Sequence, residues 1–199
     1  GGGSGGLSVA SGASQLGKKV VLVEGGKMGG DCLNYGCVPS KALIAAGNAA
    51  FAMRHSNSFG VSPQEPKINY SQVHDHVHDV IAGIAPHDSV ERFEELGVKV
   101  IQEYGSFENR NTLRAGNSLI KAKRFVISTG SSPSVPPIPG LKDVSYLTNE
   151  TIFDLKEAPD HLLVIGGGPI GLEMAQAHKR LRSKVTVIAL GYMENDDPE

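Results

Sequence analysis

Two cysteines, Cys32 and Cys37, are the residues best suited to do chemistry in this sequence. Four residues separate them, so a disulfide between them is sterically easy if the loop bends. Such a short loop constrains the unfolded chain little, which makes a purely stabilising disulfide a weak explanation. Zinc would need further ligands, and no His or Cys cluster lies nearby in the sequence. A redox pair is therefore the leading interpretation, and two buried, unreactive thiols are the alternative.

The residues that follow the cysteines favour a reactive pair. Pro39 suits the first turn of a helix, so Cys37 is predicted at a helix N-terminus. The unpaired N–H groups and the dipole there favour a thiolate. Lys41 lies four residues beyond Cys37, on the same helical face. Its ammonium is therefore expected beside the same reaction centre.

A glycine-rich turn opens the chain and resembles a dinucleotide-binding fingerprint. Gly1, Gly3 and Gly6 fill the G-x-G-x-x-G positions, and a predicted helix and strand follow. The helix N-terminus offers N–H groups and positive potential to phosphates. Glu24 lies at the end of that strand, where an acid can accept hydrogen bonds from a ribose.

A second fingerprint, made by Gly166, Gly168 and Gly171, also has a strand before it and a helix after it. Two such sites predict one bound flavin dinucleotide, FAD, and one exchangeable nicotinamide dinucleotide, NAD(P). The strand after the second turn leads to Ala189 instead of the acid typical of NAD sites. Glu194 is a candidate substitute, and NAD is favoured because no basic residue for a 2′-phosphate follows.

Hydrophobic periodicity predicts the elements that position these residues. Two β-α-β units are expected, separated by a helical region and a β-meander. The predicted helices cover 7–16, 39–54, 70–97 with an interruption near Pro86, and 169–182. The predicted strands cover 20–23, buried on both faces, then short strands from 98, a buried strand over 125–127, and strands over 162–165 and 185–188.

Composition excludes several classes of function. The 199 residues carry a net charge of -2, and 40% are hydrophobic, as in ordinary globular proteins. This balance gives no reason to expect a nucleic-acid or membrane partner, and no apolar run approaches the roughly 20 residues of a membrane span. Without a recognisable leader, a cytoplasmic location is expected.

Taken together, these motifs resemble the flavoprotein disulfide reductases. The string Cys32-x4-Cys37-Val38-Pro39-Ser40-Lys41 is specific to that family, and the resemblance covers essentially the whole chain. It implies an FAD-dependent NAD(P)H:disulfide oxidoreductase that passes electrons through the flavin and a Cys32–Cys37 disulfide. A dihydrolipoyl group, another disulfide or thiol, or Hg(II) are the implied substrates, as in dihydrolipoamide dehydrogenase and mercuric reductase.

The resemblance also assigns roles by position. Cys32 would exchange with substrate, Cys37 would be the thiolate nearest the flavin, and Lys41 would pair with Glu173 as a buried ammonium. The positions implied to bind FAD are Gly1, Gly3, Gly6, Glu24, Lys41, Gly105, Thr129 and Gly130. Those implied to bind the nicotinamide dinucleotide are Gly166, Gly168 and Gly171.

The resulting fold prediction is an α/β protein of the three-layer ββα type. Residues 1–148 would form a Rossmann-like FAD-binding domain without its first strand, and residues 149–199 the beginning of an NAD(P)-binding domain. The chain would then be the first part of a homodimeric enzyme whose His–Glu acid–base pair lies elsewhere. On this reading the chain alone would be inactive, and a non-catalytic dinucleotide-binding or regulatory fragment is the alternative.

Three histidines, His74, His76 and His78, resemble a metal-binding cluster. On a helix, His74 and His78 share a face and His76 points elsewhere. A solvated helix face is the preferred interpretation, so no metal site is predicted.

Overall fold

The computed structural model describes residues 1–189, which form alternating helices and strands. The helices are α1 (Ser4–Gln15), α2 (Gly30–Asn34), α3 (Cys37–Arg54), α4 (Tyr70–Ile84), α5 (Val90–Glu95) and α6 (Pro169–Arg180). The strands are β1 (Val20–Val23), β2 (Val98–Ile101), β3 (Gly105–Asn109), β4 (Thr112–Ala115), β5 (Ser118–Lys121), β6 (His161–Ile165) and β7 (Lys184–Ile188). Among these helices, none is long and apolar enough to cross a membrane.

The predicted α/β class is confirmed, because parallel and antiparallel sheets occur together with β-α-β units. Most predicted elements agree with the structure to within a few residues. The helical stretch 70–97 is interrupted by a 3-10 turn, Ala85–Asp88, that contains Pro86. Proline lacks the N–H that a continuous helix needs, which explains the break.

One compact unit comprises residues 1–38 and 79–150. Its strands β1 and β2 pair in parallel, with Val20 opposite Val98, so their carboxyl ends share one edge. Strands β3, β4 and β5 form an antiparallel meander, as predicted. Helices α1 and α5 pack on the parallel pair and enclose a small apolar core, made of Leu7, Ala10, Leu22, Phe93 and Val98.

A second compact unit comprises, among the described residues, 39–78 and 151–189. Strands β6 and β7 pair in parallel, with His161 opposite Lys184 and Ile165 opposite Ile188. Helix α6 contacts both strands. His178, which is fully buried in α6, accepts a hydrogen bond at Nε2 from the Tyr70 hydroxyl at 2.9 Å, while its Nδ1 donates to the Met174 carbonyl oxygen at 2.8 Å.

Three predictions about burial and pairing are wrong. Residues 125–127 form no strand, and Val126 and Ile127 are exposed, because no strand of residues 1–189 accepts their backbone hydrogen bonds. Strand β1 is not buried on both faces: Val21 is 41% exposed, since the described helices cover the face that presents Leu22. Leu16, predicted as the last residue of the first helix, follows the helix end at Gln15 and is exposed.

Candidate active site

The two cysteines lie on neighbouring helices, α2 and α3, within the short segment 31–37, which is called the cysteine loop below. Cys32 is in α2, and Cys37 is the first residue of α3, as the sequence predicts. Both are thiols in the structure, and the Cys32 side chain hydrogen bonds to Cys37. The sulfurs are therefore close enough to act as one dithiol–disulfide pair.

The environment of Cys32 favours its protonated form. The hydrogen bond to Cys37 raises the pKa of the Cys32 thiol most, and partial burial raises it further. Negative charge on Cys37 and on Asp88 acts in the same direction. In the reduced pair, Cys32 therefore holds its proton more firmly than an ordinary cysteine does.

The cysteine-bearing helix α2 packs directly on the first glycine-rich turn. The Gly29 N–H donates to the Gly2 carbonyl oxygen at 2.8 Å. A Cβ on Gly30 would lie 2.6 Å from the Gly3 Cα, and Gly30 has a positive φ of 58°. Only glycine allows both this backbone conformation and this approach. The redox pair and the predicted phosphate-binding turn are thus held together.

The first glycine-rich turn has the close packing that its fingerprint predicts. Gly3 is the N-cap of α1, without a side-chain cap, so the first-turn N–H groups remain available to an anion. A Cβ on Gly6 would collide with the Gly1 carbonyl oxygen. The Ser128 hydroxyl donates to that same oxygen at 3.4 Å, which places Thr129 and Gly130 immediately beyond the turn.

Glu24 lies at the carboxyl end of β1, where the sequence predicts an acidic residue that binds the ribose of a dinucleotide. Its carboxylate accepts hydrogen bonds from the Gly2 N–H and, at 2.5 Å, from the Gly26 N–H. The Tyr104 ring lies against Gly25, where a Cβ would be 2.5 Å from the ring. This contact brings Gly105, the next residue, to the same corner of the unit.

The second glycine-rich turn connects β6 to α6. The Gly166 N–H donates to the Ile188 carbonyl oxygen at 2.8 Å, and a Cβ on Gly171 would collide with the Gly166 oxygen. Gly168 is the N-cap of α6, and a Cβ there would meet no atom within 4 Å. The turn is therefore open at the helix N-terminus, where a pyrophosphate would bind. Glu194, the candidate ribose ligand, lies outside the described residues.

The predicted pairing of Lys41 with Glu173 is present, but the ammonium is not buried. Lys41 Nζ lies 2.7 Å from Glu173 Oε1, and the two side chains are 61% and 38% exposed. An exposed ion pair adds little to stability, so its value is to orient the lysine. With 61% of its side chain exposed, Lys41 lies on an open face of α3.

His74 and His78 share one face of α4, with ring centroids 4.3 Å apart. The predicted solvation is wrong for His74, whose side chain is only 13% exposed. His78 Nε2 donates to the Phe153 carbonyl oxygen at 3.2 Å. Within residues 1–189, no group of three or more His, Cys, Asp or Glu side chains is arranged to hold a metal ion.

Two contacting residues were not predicted. Asn149 donates hydrogen bonds to the cysteine loop, and Asp88 places negative charge near Cys32. Both are far from the cysteines in sequence and belong to no motif. Nothing in the sequence alone could have indicated them, because folding alone brings them to the loop.

Comparisons with known proteins agree with this arrangement. The chain is 35% identical to a mercuric reductase of Bacillus cereus, covering 99% of the chain and 32% of that protein. It is 33% identical to a dihydrolipoyl dehydrogenase of Acholeplasma laidlawii, covering 96% of the chain and 58% of that protein. The chain thus spans between a third and three fifths of these relatives.

A solved structure gives the same result. The Cu(II) complex of the HOCl-induced flavoprotein disulfide reductase RclA from Escherichia coli aligns with a TM-score of 0.80 at 26% identity. The alignment covers 94% of this chain and 40% of that one. The family model described as pyridine nucleotide-disulphide oxidoreductase matches residues 1–192. With this match over nearly its whole length, the chain belongs to the pyridine nucleotide-disulphide oxidoreductase family.

Proposed function

We propose that this chain is part of an FAD-dependent oxidoreductase that moves electrons between a pyridine nucleotide and a thiol or disulfide substrate through Cys32 and Cys37. One observation carries the proposal: helix α2, which bears Cys32, packs on the glycine-rich turn at the start of α1. A redox-active sulfur pair and a dinucleotide cradle are thereby parts of one compact unit.

The residues present fit the two dinucleotides that the family uses. The uncapped first turn of α1 and the Glu24 carboxylate would hold the pyrophosphate and adenosine ribose of FAD. The open first turn of α6 at Gly168 would hold the nicotinamide dinucleotide. The chemistry that bound FAD supplies is two-electron transfer between the pyridine nucleotide and the cysteine pair.

The cysteines perform the exchange with substrate. A base must first take the Cys32 proton, a role that the family resemblance gives to the His–Glu pair expected elsewhere in the protein. The resulting Cys32 thiolate attacks a substrate disulfide, so that a Cys32–substrate S–S bond forms and the first substrate thiolate leaves. Cys37 then attacks the Cys32 sulfur, which forms the Cys32–Cys37 disulfide and releases the second thiolate. The substrate gains two electrons and the pair loses two. A dihydrolipoyl substrate would run these steps in reverse.

NAD is the favoured nicotinamide dinucleotide. The nearest arginines are engaged elsewhere in the second unit: Arg180 hydrogen bonds to Asn48, and Arg182 pairs with Glu65. Both also precede β7 in the chain, whereas the basic residue that binds a 2′-phosphate is expected after this strand. A dihydrolipoyl group and Hg(II) remain the candidate substrates, and we expect the whole protein to be a homodimer.

Binding and reduction of FAD test the proposal. We expect the purified protein to retain FAD, to be yellow, and to bleach with NADH more readily than with NADPH. Glu24→Ala should weaken FAD binding by on the order of tenfold, because a charged hydrogen-bond acceptor is lost. Glu94→Ala, an exposed glutamate of α5, is the matched control and should not. A colourless protein with unreactive thiols would instead indicate a non-catalytic dinucleotide-binding fragment.

A further inference from the structure

We propose that Asn149 is a positioning residue that holds the cysteine loop in the geometry needed for thiol–disulfide exchange. The inference rests on the proposed function of Cys32 and Cys37. It adds a residue that belongs to neither fingerprint and lies more than a hundred positions from the cysteines.

The side-chain amide of Asn149 spans the loop. Its Nδ2 donates to Asp31 Oδ1 at 3.1 Å and to the Tyr35 carbonyl oxygen at 3.5 Å. Asp31 directly precedes Cys32, and Tyr35 is the C-cap of α2, two positions before Cys37. One amide group therefore fixes both ends of the helix that carries Cys32.

The chemistry of the contact requires an amide. Both partners of Asn149 are acceptors, and an NH₂ group supplies two donors. The other oxygen of Asp31 is packed on the loop, since a Cβ on Gly36 would lie 2.8 Å from Asp31 Oδ2. A carboxylate at position 149 would face an acceptor carboxylate and an acceptor carbonyl, which replaces two attractions with repulsion.

Fixing α2 should set the redox equilibrium of the pair. Disulfide formation from a dithiol depends on the effective concentration of one sulfur at the other, which is highest when the loop already holds them together. Without the amide, the reduced loop samples more conformations, and this concentration falls. The Cys32–Cys37 disulfide then becomes easier to reduce.

The test is the equilibrium of the Cys32–Cys37 pair with glutathione buffers, followed by alkylation and mass spectrometry. We expect Asn149→Asp to lower the equilibrium constant for disulfide formation by on the order of tenfold, equivalent to about 30 mV. Asn149→Ala should shift it in the same direction. Asn117→Asp, which adds the same charge on the exposed turn between β4 and β5, should leave it unchanged, and circular dichroism checks that each variant is folded.

The outcomes separate this inference from the proposed function. A shift in both Asn149 variants but not in Asn117→Asp supports the inference. Unchanged equilibria at position 149, or an equal shift in Asn117→Asp, overturn it and leave the proposed function standing. If the unaltered Cys32–Cys37 pair forms no reversible disulfide in any glutathione buffer, both the inference about Asn149 and the proposed function are contradicted.

Discussion

Cys32 and Cys37 share one loop but not one chemical environment. The Cys32 thiol is partly buried, hydrogen bonded to Cys37 and near the negative charge of Asp88, and these surroundings raise its pKa. Cys37 is exposed and lies at the start of an 18-residue helix. This asymmetry suits a pair in which one sulfur attacks and the other resolves.

The raised pKa of Cys32 can be measured by alkylation. Resolved by mass spectrometry, the iodoacetamide reactivity of Cys32 in the reduced protein should rise with pH, with a midpoint above the roughly 8.5 of an ordinary thiol. Cys37→Ala removes the hydrogen bond to Cys37, which raises the pKa of Cys32 most, so the midpoint should move down towards that value. A Cys32 midpoint at or below the ordinary value would contradict this description of the pair.

His178 makes the stability of the second unit depend on pH. Burial lowers the pKa of His178, so the folded protein keeps it neutral while the unfolded chain is protonated below about pH 6.5. The contribution of neutral His178 to the free energy of unfolding is therefore fully present above about pH 6.5. As the pH falls below that value, the free energy of unfolding decreases by up to about 1.4 kcal/mol per pH unit.

Denaturant unfolding at pH 7.5, 6.5 and 5.5 measures this dependence. His178→Gln should flatten the fall in unfolding free energy, because the buried titratable group is gone. His76→Gln, at an exposed position of α4, should retain it. Equal pH dependence in His178→Gln and the unaltered protein would rule out His178 as the cause.

At the scale of elements, the glycines of α1 fall into two groups. At some positions a side chain would collide with neighbouring atoms, and at others there is room for one. A Cβ on Gly6 would collide with the Gly1 carbonyl oxygen, whereas a Cβ on Gly12 would meet nothing within 4 Å. Close packing of the turn therefore requires a glycine at position 6. At position 12 the glycine only lowers the helix propensity of α1.

Paired alanine substitutions test that distinction. Gly6→Ala should destabilise the protein by about 1–3 kcal/mol, as overpacking does. Gly12→Ala should be neutral or stabilise by up to about 1 kcal/mol, because alanine is the better helix former. Thermal unfolding of both variants gives the comparison, and a Gly6→Ala protein as stable as the original would contradict the packing described for the turn.

Elements were predictable from sequence to the extent that they depend on local pattern. The glycine-rich turns, the helix that begins at Cys37 and the break at Pro86 are local, and they were found. The burial of Val21 and the pairing of residues 125–127 depend on neighbouring elements, and the predictions for them were wrong. Asn149 and Asp88 are distant from the cysteine loop in sequence and come near it only in the fold, so no local sequence pattern predicts these contacts.

At the scale of the whole molecule, two compact units each carry a glycine-rich turn at the start of a helix. The family match covers nearly the entire chain, while the chain spans only part of its relatives. The division into an FAD-binding domain over residues 1–148 and an NAD(P)-binding domain from residue 149 stays a prediction. Activity and substrate belong to the whole protein and are therefore proposals.

The most direct test of the central claim is an anaerobic dithionite titration of the FAD-loaded protein. If Cys32 and Cys37 form a disulfide that exchanges electrons with the flavin, full reduction should consume four electrons per FAD. Cys37→Ser should consume two, because only the flavin can then be reduced. An unaltered protein that consumes two electrons per FAD, like the Cys37→Ser variant, would contradict the assignment of a redox-active pair.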